Sequence, residues 1–233
     1  MRAPGPTTGV VPLRLRLSNA YLLLGERPVI VDAGSTGEES AILEGLRGLG
    51  HQPNDVALIL HTHGHADHAG STAALRRLTG APVAAHQRDA AMLARGRNGA
   101  LRPTRLSARL VRPLLGRRFD PVFVDVAVED GTSLRPWGIA GRVIETPGHT
   151  AGSISVLLDI GEAIVGDLLM GGMLRGRLFP GRPAYHDFAD DLGEVKRGIA
   201  RLLDLGARRL HVGQGGPLAA DDVGQWFAAE LQN

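Results

Sequence analysis

The chain reads as an α/β protein made of two halves that share a crevice, and three observations predict this. Short saturated apolar runs, Val29–Asp32, Val56–Leu60 and Ala163–Asp167, have the composition of strands covered on both faces. Amphipathic stretches alternate with them, as crossover helices alternate with the strands of a sheet. The runs also end repeatedly in polar residues, as strands do when they open on a common site.

Val10–Leu17 alternates apolar residues with Pro12, Arg14 and Arg16 and reads as a half-exposed strand, followed by a second at Ala20–Leu24. Gly25–Pro28 is a turn into the third, Val29–Asp32. Asp32 is either an acceptor orienting a ligand histidine or a strand-end cap. Glu38–Leu49 is a helix with Ile42, Leu46 and Leu49 on one face and Gly50 as its stop. After the Val56–Leu60 strand, Ala69–Thr79 is helical, Pro82–Ala85 is a short strand, and a helix runs on through Met92 and Leu93.

Residues 95–120 break the rhythm with Arg, Gly and Pro; Leu106, Leu110 and Leu114 leave a weak helical stripe. The segment is read as an inserted helical piece near the mouth of the site, either a lid with arginines for substrate anions or a solvated insert. Pro121–Val128 and Arg142–Glu145 read as strands, and Ser153–Leu158 and Ala163–Asp167 as central ones. Residues 168–186 read as a loop in which Met170, Met173, Leu174 and Phe179 form either an adaptable pocket or plain packing. Asp190–Leu205 is a strongly amphipathic helix, Arg208–Val212 the last strand, and Ala220–Leu231 the closing helix with Asp221 and Asp222 in its first turn.

Composition narrows the function. With 233 residues, 43% of them hydrophobic, the chain is expected to form one domain of two α/β halves. It has no cysteine, which excludes disulfides, thiolate ligands and a cysteine nucleophile. No apolar run is long enough to span a membrane, and Met1–Pro12 has no apolar core like that of a secretory signal; a cytoplasmic location is expected. The net charge of +2 is nearly balanced and aromatic residues are only 4%, so no nucleic-acid partner is expected.

The chemistry concentrates in His61–Gly70, directly after the Val56–Leu60 strand. Imidazole and carboxylate at His63, His65, Asp67 and His68 suit zinc and related first-row metals. Residues two apart in an extended loop point the same way, so His63, His65 and Asp67 can converge while His68 points elsewhere; this suggests two neighbouring metal positions. His61 reads as a supporting or core histidine. Asp167 ends a buried strand, where a carboxylate is costly unless paired or on a metal, which marks it as a ligand candidate. Tyr185 and His186 are candidate substrate contacts, and His211 reads as a packing histidine.

Thr62–Gly70 resembles the signature of the metallo-β-lactamase-fold hydrolases. Asn19–Leu23 and Val31–Gly34 resemble that family's opening strands, Thr146–Thr150 its next ligand loop, Val165–Asp167 its bridging-carboxylate strand, and Val212–Pro217 its last ligand loop. The resemblance implies a four-layer αββα sandwich. It implies one metal held by His63, His65 and His149, with a position left for water, and another held by Asp67 and His68 with Asp167 bridging. It also implies hydrolysis through an acidified water, with Asp67 taking or orienting the proton of the attacking water.

The family usually places His where this chain has Gln214, and an amide oxygen is a poorer zinc ligand. One Zn2+ held tightly, a second weak or absent, with iron or manganese as substitutes, is therefore expected; Gln214, Tyr185 and His186 become substrate or weak second-metal contacts. The expected activity is hydrolysis of a small-molecule ester, thioester or lactone. The chain ends soon after the last motif, without the C-terminal segment typical of glyoxalase II-like thioesterases. A mononuclear iron oxygenase of the persulfide dioxygenase type, which needs one metal, is the second reading. A non-catalytic binding protein with an eroded site is the third.

Overall fold

The computed structural model describes residues 8–111, 116, 118–174 and 176–230. The first half builds a six-stranded sheet from β1 (Gly9–Arg14), β2 (Asn19–Leu24), β3 (Val29–Val31), β4 (Leu58–Leu60), β5 (Val83–His86) and β6 (Val126–Val128), in that spatial order. The three opening strands pair antiparallel through tight turns, and β3 to β6 run parallel because helices connect them. Those helices are α1 (Glu39–Gly48), α2 (Ala66–Ala69), α3 (Thr72–Thr79) and α4 (Gln87–Arg95), with α5 (Leu106–Val111) in the segment before β6.

The second half builds a five-stranded sheet from β7 (Gly141–Glu145), β8 (Ile154–Leu158), β9 (Glu162–Gly166), β12 (Arg209–Val212) and β13 (Leu218–Ala219), in the order β13-β12-β9-β8-β7. Between β9 and β12 the chain makes a hairpin, β10 (Met170–Met173) with β11 (Leu178–Ala184), and then α6 (Leu192–Asp204). The final helix is α7 (Ala220–Glu230).

Three buried clusters give the layer order. Ile42, Leu46 and Leu75 from helices pack on Leu22, Ile30 and Ile59 of the first sheet. Leu23, Val31, Leu58 and Leu60 from the other face of that sheet meet Val143, Val156, Leu158 and Ile164 of the second. Val195, Ile199, Leu202 and Phe227 of α6 and α7 cover the second sheet's outer face at Leu157, Val165 and Leu210. The arrangement is therefore helices, sheet, sheet, helices, the αββα sandwich that the resemblance implied. The middle strands read as saturated apolar runs because both their faces are buried.

Some boundaries differ from the sequence reading. Residues 168–186 hold the β10–β11 hairpin where a loop was expected. Its prolines, Pro180 and Pro183, fit because this two-stranded ribbon is all edge, where a missing N–H leaves no inner neighbour unpaired. The strand expected over Pro121–Val128 is confined to Val126–Val128, since the stretch before it pairs only in part, through Asp125 N–H to Val83 O. Ala69–Thr79 is two helices broken at Gly70–Ser71. The stripe residue Leu114, the N-terminal Met1–Thr7 and the helix end at Leu231 lie outside the described residues. No helix among the described residues is long and apolar enough to cross a membrane.

Candidate metal centre

The polar groups that break the apolar pattern collect at one edge of the sandwich, where β3, β4, β9 and β12 all end. This is where an open α/β sheet offers a crevice. The two halves are stitched together there. Asn19 Nδ2 donates to Val212 O and Gly215 O at 2.9 Å each, Tyr21 Oη donates to Val212 O at 2.7 Å, and Ile154 N–H donates to Thr62 O at 2.9 Å. The loop after β4 carries His63 and His65, α2 carries His68, the β7–β8 loop carries His149, and Asp167 follows β9.

All five are buried, and they form interlocking clusters: His63 with His65 and His149, and His63 with His68 and Asp167. Within each cluster the potential ligand atoms lie within 4.8 Å of one another. His65 Nδ1 is 2.9 Å from His149 Nε2, and His68 Nε2 is 3.3 Å from Asp167 Oδ1. Three buried polar atoms facing this point, His63 Nε2, His68 Nε2 and Asp167 Oδ1, have no hydrogen-bond partner among the described residues. Buried polar atoms are rarely left so unless something else takes them. Nitrogen and carboxylate oxygen lone pairs converging in this number fit a divalent cation.

The far side of each imidazole shows how its donor nitrogen is freed. His68 Nδ1 is 2.9 Å from Asp32 Oδ2 and donates to it, leaving Nε2 for the centre. Thr62 Oγ1 donates to the same Asp32 oxygen at 2.8 Å and accepts from His63 Nδ1 at 3.1 Å, which again frees Nε2. His149 Nδ1 donates to Phe188 O at 2.8 Å. Of the two readings of Asp32, the structure gives the orienting one: its carboxylate also accepts Thr62 N–H at 2.9 Å, and its backbone sits at φ +62°. His61 is a supporting residue, fully buried, with Nε2 3.0 Å from Thr72 Oγ1. His211 turns away to Glu162, at 2.8 Å.

Burial, with the neighbouring imidazoles, holds His63 and His149 well below the ordinary histidine range. Burial also lowers His65, although the Asp67 carboxylate works against it. These three are neutral, as metal ligation requires. At His68 burial opposes the charged ring, but Asp167 and Asp32 on either side outweigh it and raise its pKa well above the usual value. Burial would raise Asp167, yet His186, His68 and His149 hold it well below the carboxylate range.

Asp67 belongs to none of these clusters among the described residues. It is half-buried on the wall of the adjoining cavity. It occupies the first turn of α2, so its side chain leaves the extended path on which a two-residue period holds. Tyr185 does not reach the cavity: its ring packs edge-on against Trp226 at 4.7 Å. Its neighbour His186 points the opposite way and joins the centre, in a third cluster with His149 and Asp167. Gln214 is buried beside it, with Nε2 3.2 Å from His186 Nε2.

A residue the sequence reading passed over holds the site in place. Asp89, on the buried face of α4, accepts Gly64 N–H and Gly152 N–H at 2.9 Å each and the Thr150 hydroxyl at 2.7 Å. It thereby pins the loop of His63 and His65 to the loop of His149. A Cβ at Gly152 would lie 2.6 Å from its Oδ1, so only glycine allows this approach. The available signal was a carboxylate four residues before Leu93, on the apolar stripe of a helix.

A cavity of about 540 Å³ opens onto the centre, walled by Leu17, Leu101, Ala108, Leu174 and Phe188, with Asn98, Arg105 and Arg118 among its polar groups. The 95–120 segment thus contributes a wall. Arg105 is engaged by Asp187 rather than free. Met173 and Leu174 line the cavity as well, whereas Met170 is core and Phe179 is exposed on another face.

Fold and site together define a metal-binding αββα protein. The model of the metallo-beta-lactamase superfamily matches residues 13–213. A probable metallo-hydrolase of Bacillus subtilis is 27% identical over 96% of this chain and 88% of its own length. A hydroxyacylglutathione hydrolase of Cereibacter sphaeroides is 37% identical over 126 residues, 54% of this chain. The match covers only 38% of that enzyme, well under two thirds of its length. Among solved structures, a metallo-beta-lactamase family protein of Thermus thermophilus superposes with a TM-score of 0.65 at 26% identity, covering 99% of this chain and 80% of the other. The chain belongs to the metallo-β-lactamase superfamily, as a hydrolase of that family with a divalent-metal site.

Proposed function

We propose that the protein hydrolyses a small-molecule ester, thioester or lactone, with zinc as its resident metal. The observation that carries this reading is the convergence of His63, His65 and His149 from both halves on one point at the floor of the cavity. These three residues would hold one ion, and His68 and Asp167 a second. A divalent ion bound there supplies Lewis acidity and lowers the pKa of a bound water to about 7.

The chain's own residues do the rest. Asp89 and Asp32 fix the imidazoles before substrate arrives, so little reorganisation is needed in the reaction. Asp67, on the cavity wall, takes or orients the proton of the attacking water. The apolar walls at Leu101, Ala108 and Phe188 take an acyl chain and keep bulk water from the carbonyl. The hydroxyacylglutathione hydrolases among the relatives favour a thioester among the three substrate types.

The test is turnover of a panel of p-nitrophenyl esters, acyl-glutathione thioesters and acyl lactones, before and after chelation and on re-addition of zinc, manganese or iron. Activity lost on chelation, restored by metal and absent in His149→Ala is expected. A fully loaded protein that turns over nothing in the panel would refute the proposal.

A further inference from the structure

His186 repeats the ligand arrangement outside any of the motif loops. Its Nδ1 lies 3.1 Å from Phe188 O, the same carbonyl that accepts from His149 Nδ1 at 2.8 Å. Two imidazoles thus hang from one peptide oxygen. Their rings are perpendicular, with centroids 4.6 Å apart, and both Nε2 atoms turn toward Asp167 Oδ2, at 3.1 Å for His186 and 3.6 Å for His149. On Asp167's other oxygen, His68 Nε2 is 3.3 Å away. Atoms each about 2.0–2.2 Å from a tetrahedral zinc lie roughly 3.3 Å from one another. The observed spacings are of that size.

Gln214 turns its amide toward His186, with its Nε2 3.2 Å from His186 Nε2. An amide N–H donates to an imidazole nitrogen only when that nitrogen carries no proton. The Phe188 carbonyl, 3.1 Å from Nδ1, favours that tautomer, in competition with the Phe188 N–H, which donates to the same nitrogen at 3.2 Å. Residue 214 therefore positions an imidazole instead of supplying one.

We infer that His186 is a metal ligand standing in for the histidine that position 214 lacks, and that with Asp167 it completes a second metal position beside the one of His63, His65 and His149. The inference rests on the metal-site half of the proposed function and is independent of the substrate. It replaces the expectation that Gln214 leaves the second site weak or empty: the imidazole is present and arrives from the segment after β11.

The test is metal binding, not turnover. The purified full chain is stripped and titrated with Co2+, following the d–d absorption bands, and with Zn2+ against a chromophoric chelator. The parent should take up two equivalents. His186→Ala should keep the first and lose at least tenfold in affinity for the second, with the corresponding cobalt band shifted. His186→Gln, which keeps a polar side chain of similar length beside Gln214, should behave alike if the alanine variant fails to fold. His186→Ala combined with Gln214→His should recover the second equivalent.

Metal-free His186 variants should match the parent by far-UV circular dichroism, so that the loss reports ligation. A His186 variant retaining both equivalents at parental affinity would overturn the inference, and so would a parent that saturates at one equivalent. Two equivalents bound through His186 without turnover would remove the hydrolase reading and leave this inference standing.

Discussion

Asp89→Asn tests whether one buried carboxylate joins the two ligand loops. The aspartate is 1% exposed and accepts three hydrogen bonds, from Gly64 N–H, Gly152 N–H and Thr150 Oγ1. Asparagine can keep its oxygen toward Gly152, but its NH2 then faces the Gly64 N–H and the Thr150 hydroxyl. The hydroxyl can turn to Ser153 Oγ, 2.8 Å away, whereas the Gly64 N–H loses the acceptor it has. A buried donor left unpaired costs about 1–3 kcal/mol, and replacing a charged acceptor by a neutral one weakens the remaining bonds by about 1 kcal/mol more. The sum is about 3 kcal/mol. For a chain of this size each kcal/mol moves the melting midpoint by about 2–4 °C, so the metal-free variant should melt about 6–12 °C below the parent. Zinc affinity should fall too, because the loops of His63, His65 and His149 lose their common anchor. Calorimetry in chelator and zinc competition measure the two effects. A metal-free Asp89→Asn melting within 2 °C of the parent, with zinc affinity within about twofold, would refute the account.

Two further outcomes follow from the same geometry. At Gly213 an added Cβ would lie 2.7 Å from His68 Cε1 and press on Asp167 Oδ1, so Gly213→Ala should cost about 1–3 kcal/mol and displace both groups from the second metal position. Metal analysis should show one equivalent fewer than the two expected of the parent, and an unchanged metal content would contradict this. In acid, Asp130 and Glu145 should weaken the fold as they protonate. Arg201, at 2.7 Å, lowers Asp130, and His86, at 2.9 Å, lowers Glu145, so the unfolded chain binds more protons than the folded one. Their stabilisation is complete above about pH 4.5 and fades as pH falls through the depressed folded values. Both lie near the surface, so Asp130→Asn and Glu145→Gln should each cost less than about 1 kcal/mol at pH 7, and the cost should shrink as pH falls below about 4. Denaturant melts across the acid range measure the difference, and a gap that does not shrink as pH falls would count against the assignment.

By itself the sequence determined the fold class and named most of the side chains that the structure gathers in one cluster. Val56–Leu60 running into His63, His65 and His68 is legible because buried strands need apolar side chains and ligands need particular donor atoms, and both requirements are written locally. Asp167 at the end of β9 is legible for the same reason: a carboxylate is costly there unless it is used. Tertiary structure decided what depends on side-chain direction and on contacts between distant segments. Asp67 sits inside the same motif yet stands apart on the cavity wall, because a helix begins there and turns it. Tyr185 and His186 are neighbours with opposite fates, settled by which of them faces Trp226 and which faces Asp167. Asp89 carries no motif, and its role exists only where α4 passes between two loops whose histidines are 84 residues apart in the chain. Periodicity reports which face of an element is covered; it holds no record of what covers it, and in this protein that partner decides which polar groups meet the metal.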